Sequence, residues 1–73
     1  MTLLQNQVVA LLPLEGRSPR DVIRLMRVRC VGQTFVVADD GQIYSTIDGR
    51  QMYALPGRRI EPATEEHRAA LKH

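Results

Sequence analysis

Seventy-three residues hold one domain and no more. Hydrophobic residues make up 44% of the chain, which excludes a disordered polymer, and three aromatics without tryptophan require an aliphatic core. The formal net charge of +2, from ten Lys and Arg against eight Asp and Glu, is too small to imply a nucleic-acid partner. A chain this short buries a modest fraction of its surface, so its stability margin is thin. The single cysteine, Cys30, cannot form an internal disulfide and suggests a reducing, cytoplasmic compartment. Cys30, His67 and His73 fall in no zinc spacing, and no metal or cofactor pattern is present. No run has the length of a membrane span, and Val8 to Leu12 is too short and lacks the preceding basic stretch of a signal peptide.

In chain order, Gln7 to Leu12 is a β-branched and aliphatic run that fits a buried or edge strand stopped by Pro13. Pro13 to Pro19 reads as a loop. Asp21 to Val31 is ambiguous. Ser18 and Pro19 look like a helix cap and first helical position, whereas Met26, Val28 and Cys30 alternate with Arg27 and Arg29 as in a strand. One long bent strand is expected, with a bulge between Leu25 and Met26 and with Cys30 buried.

Gly32-Gln33 is a turn and Thr34 to Ala38 a strand. Asp40-Gly41 is a hairpin turn because both residues tolerate positive φ. Strands follow at Gln42 to Ile47, Gln51 to Leu55 and Arg58 to Glu61, separated by turns at Asp48-Gly49 and Pro56-Gly57. Thr64 then caps a terminal helix of about residues 64–72, with Glu65 and Glu66 at its positive end and His67 and Leu71 sharing a face. Short strands with Gly and Pro turns predict a small antiparallel barrel of about five strands and one helix.

From about Arg27 onward the chain resembles a loose group of uncharacterised bacterial and phage proteins with an SH3-like barrel. The residues that carry the resemblance are Thr34, Phe35 and Val37, then Asp40-Gly41, then Asp48-Gly49-Arg50. Ile60, Pro62-Ala63-Thr64 and Glu66-His67 complete it. The resemblance implies a fold and a phage or mobile-element origin, and it carries no catalytic or binding residues.

Each polar cluster has a structural explanation. Asp39, Asp40 and Asp48 are the turn residues expected before glycine. Cys30 or Ser45 as a nucleophile would need His67 or His73 as base, and His67 reads as a helix residue leaning on the barrel. The remaining binding candidates are Arg24, Arg27, Arg29, Arg58 and Arg59, with Tyr44 and Tyr53 as rings for stacking. Either tyrosine could equally pack in the core with its hydroxyl at the rim. An edge strand through Val8, Val9, Leu11 and Leu12 is a further candidate, for a homodimer or a partner protein, with ordinary core burial the favoured reading of that run. The expectation is a non-catalytic, SH3-like protein-interaction module that binds and modulates a host protein. Nucleic-acid binding through an arginine face is the rival.

Overall fold

The computed structural model describes residues 2–54 and 57–72. Five strands form one antiparallel sheet: β1 (Val8–Pro13), β2 (Arg24–Val31), β3 (Phe35–Ala38), β4 (Ile43–Ser45) and β5 (Arg58–Pro62). Their order is β4-β3-β2-β1-β5, so the last strand returns beside the first. Residues 49–51 nearly close the sheet. Tyr44 pairs with Gln51 and Arg50 with Arg59, which ties β4 to β5. The result is a nearly closed five-stranded barrel followed by helix α1 (Glu65–Leu71).

β1 is central rather than an edge. It pairs with β2 through Val9↔Met26 and with β5 through Leu11↔Ile60. It is buried on both faces, which explains its unbroken apolar run. Val9 and Leu11 point into the barrel with Met26, Val28, Val36 and Ile60. Ala10 and Leu12 point outward to a second cluster with Val22, Leu25 and Ala70 of α1. Leu3 joins the interior, so the N-terminal segment caps the barrel.

Both readings of residues 18–25 are partly right. Ser18 caps a single 3-10 turn, Pro19–Asp21, and Asp21 completes the capping box. Strand pairing then begins at Arg24. The expected bulge lies elsewhere: the register shifts between Val28 and Cys30, not between Leu25 and Met26. That extra residue reverses the alternation. Cys30 is therefore exposed, not buried.

The turn chemistry holds. Gly41 and Gly49 have φ of 80° and 77°, and Asp40 and Asp48 each accept the backbone N–H two residues on. Among the described residues 51–54 the strand expected at 51–55 does not form. Gln51 bridges Tyr44 and the Met52 N–H donates to the Ile43 carbonyl at 2.8 Å, and the chain then turns away with Tyr53 at φ 63°. Leu55 and Pro56 lie outside the described residues. A tyrosine in the left-handed region is strained by roughly 1 kcal/mol or more. Tyr53→Gly should therefore raise the urea midpoint by the equivalent of about 0.5–1 kcal/mol; an unchanged or lower midpoint would show that the ring contributes more than its backbone loses.

Candidate functional site

At one end of the barrel the inward-facing residues are polar and enclose a cleft of about 300 Å³. Arg24, Gln42, Tyr44, Gln51 and Arg58 line it, with Asp40 at the rim and Leu11 at the floor. Strand parity puts them there. Leu11 pairs with Arg24 and Tyr44 with Gln51, so these side chains share the interior side. Asp40 is the hub. The Tyr44 hydroxyl donates to its Oδ2 at 2.9 Å, and Arg24 Nη2 lies 3.5 Å from the same oxygen. Burial and the adjacent Asp40 carboxylate push the Tyr44 hydroxyl well above its ordinary range, so it stays a donor.

The two glutamines are ordered by this geometry. The Arg58 backbone N–H donates to Gln51 Oε1 at 3.2 Å, which fixes that amide's orientation. Gln51 Nε2 then donates to Gln42 Oε1 at 3.0 Å.

The seven candidates named from the sequence do not form one surface. Arg24 and Arg58 meet at the barrel mouth with Tyr44. Arg27 points to the outside, where its Nη1 donates to the Asn6 carbonyl at 3.0 Å. Arg59 also points outward, and it donates to the Gly16 carbonyl and to Glu61. Arg29 sits at the bulge and is exposed. Tyr44 is buried with its hydroxyl at the rim, while Tyr53 is 90% exposed on the 52–54 turn. No pair of rings forms a stacking platform from these positions. Asp40, Gln42 and Gln51 were missed as site residues, because Asp40 was assigned only to its turn and the glutamines carry no motif.

The outer side of the barrel is covered unevenly. α1 lies over β1 and the 3-10 turn. The outer faces of β2, β3 and β4 carry the cross-strand row Cys30, Val37 and Ile43, with Cys30 exposed and the other two half-buried, away from the cluster on which α1 packs. Phe35 flanks this row with its ring against Gly32, where any side chain would collide with it. Ile47, beyond the end of β4, is 78% exposed.

A hydroxyl, an imidazole and a carboxylate line up at the start of α1. His67 is 2% exposed, its Nε2 lies 2.8 Å from Glu61 Oε1, and its Nδ1 lies 3.1 Å from Thr64 Oγ1. The groups act as a cap. The Thr64 backbone N–H donates to Nδ1 at 3.0 Å, which puts the ring proton on Nε2, facing Glu61. The helix thus docks through His67 and Ala70, whereas Leu71 is 40% exposed. Burial alone would raise the Glu61 carboxyl, but hydrogen bonds from Arg59 and His67 outweigh it and hold the pKa below normal. A depressed pKa stabilises the fold above the ordinary Glu value of about 4.3 and loses that contribution as pH falls through the folded value. Stability should decline over that acid range, and Glu61→Gln should flatten the decline; an unchanged acid limb would contradict the assignment.

Asp40 and Asp48 accept within their turns, Asp39 accepts the Arg27 backbone N–H of β2, and among the described residues no three metal-ligating side chains gather. Among the described residues no helix is long and apolar enough to cross a membrane. No family model matches the chain, and neither a curated protein nor a solved structure is significantly similar to it.

Proposed function

We propose that the chain is a non-catalytic protein-interaction module that binds a partner protein through the uncovered outer face of β2, β3 and β4. The observation that carries this reading is the apolar row Cys30, Val37 and Ile43, flanked by Phe35 and left uncovered by α1. A small domain that uses α1 to cover one side and leaves apolar side chains on the other fits a binding surface. An exposed free thiol on that face fits a reducing, cytoplasmic setting. The resemblance suggests only a phage or mobile-element origin; modulation of a host protein is the role we propose for such a product. The chain's first strand gives no support to a homodimer, since a partner strand there would have to displace β2 or β5.

Nucleic-acid binding is the rival, and the five candidate arginines it would use are divided between the mouth and the outer side. Capture from a bacterial lysate by the wild-type domain and by Val37→Lys separates the readings. A protein held by the first and lost by the second is expected. Nucleic acid held with a steep salt dependence would favour the rival instead.

A further inference from the structure

The barrel mouth has an asymmetry in its hydrogen bonding. Its acceptors are used within the protein. Asp40 receives the Tyr44 hydroxyl, the Gln42 backbone N–H and Arg24. Gln51 Oε1 receives the Arg58 backbone, and Gln42 Oε1 receives Gln51. The capacity left over is donor capacity. Gln42 Nε2 has no partner among the described residues, because its amide orientation is fixed by Gln51. The Arg58 guanidinium makes no ion pair among the described residues, and Arg24 is 55% exposed with only one contact, at 3.5 Å, to Asp40. Two guanidinium groups against one carboxylate leave the mouth with a net positive charge.

Donors without acceptors, on a positively charged cleft, call for an anion that accepts several hydrogen bonds at once. The cleft's volume of about 300 Å³ suits one small group rather than a chain. Gln42 of the mouth directly precedes Ile43 of the outer face in the chain, and the two side chains lie on opposite sides of the sheet. We infer that the mouth is a carboxylate-binding subsite, in which Arg58, Arg24 and Gln42 receive an acidic side chain of the partner protein. The inference deepens the protein-binding reading and rests on it for the identity of the occupant.

The site itself is tested without the partner. The side-chain N–H signals of the uniformly ¹⁵N-labelled domain are followed by NMR during titration with N-acetyl-glutamate α-methylamide, whose one carboxylate is the side chain's. N-acetyl-glutamine α-methylamide, which has none, and inorganic phosphate serve as comparisons. Saturable shifts at Arg24, Arg58 and Gln42, with Arg27 and Arg59 still, are expected for the carboxylate and not for the amide. Arg58→Gln should weaken that binding about tenfold or more, since a charge-assisted pair is lost, while the backbone spectrum stays folded. Shifts spread equally over all arginines, or saturation by phosphate alone, would overturn the assignment. If the carboxylate binds but no partner protein is captured, the subsite stands and the module reading falls. If a captured partner binds Arg58→Gln as well as wild type, the subsite's role in docking falls and the module reading stands.

Discussion

Ile60→Ala should remove about 2–5 kcal/mol of stability. Ile60 is fully buried, lies opposite Leu11 on the central strand and closes the barrel interior on the β5 side. A domain of this length has roughly 4–11 kcal/mol in all, so the variant should show a large fall in urea midpoint and partial unfolding on mild heating. Ile47→Ala is the matched control. Ile47 is 78% exposed, and its truncation should stay within about 0.5 kcal/mol of wild type. Equal effects at the two positions would mean that β5 does not close the core as described.

The second large effect belongs to His67. His67→Ala empties a buried site and leaves the Thr64 N–H and Glu61 Oε1 without their partner, while Arg59 still holds Glu61 Oε2. The expected loss is about 2–4 kcal/mol, from the cavity together with the broken hydrogen bonds. The loss should be local as well as global. A helix of 7 residues is not stable alone, so α1 should exchange its amide hydrogens much faster while the β1–β2 ladder stays protected. If α1 amides kept wild-type protection in the variant, His67 would not be what docks the helix.

The parts of this fold that local chemistry dictates were legible in the sequence. The hairpin at Asp40-Gly41 needs positive φ, and the Asp-Gly pair announces it. The helix start at Thr64 and the capping turn at Ser18 were visible in the same way. The misread parts depend on distant residues. No glycine marks the shift between Val28 and Cys30, so the alternation appeared to continue and buried Cys30 on paper. Gln51 to Leu55 has strand composition, but the segment that closes the barrel onto β5 is Gly49 to Gln51, and Tyr53 sits in the turn after it. The mouth was legible only in fragments. Arg24, Tyr44 and Arg58 drew attention as charges and rings, but their meeting with Asp40, Gln42 and Gln51 is a product of strand register. The same register separates Arg27 and Arg59 from them, which a count of arginines along the chain could not show.

The central claim is that a partner protein docks on the face that α1 leaves open. Its most direct test is the affinity of the captured, purified partner for wild type and for Val37→Lys, measured by calorimetry at matched folded fraction. A buried lysine charge at the centre of that face should weaken binding at least about a hundredfold, as for a desolvated charge left unpaired in an interface. Equal affinity for the two proteins, with Val37→Lys as stable as wild type, would contradict it.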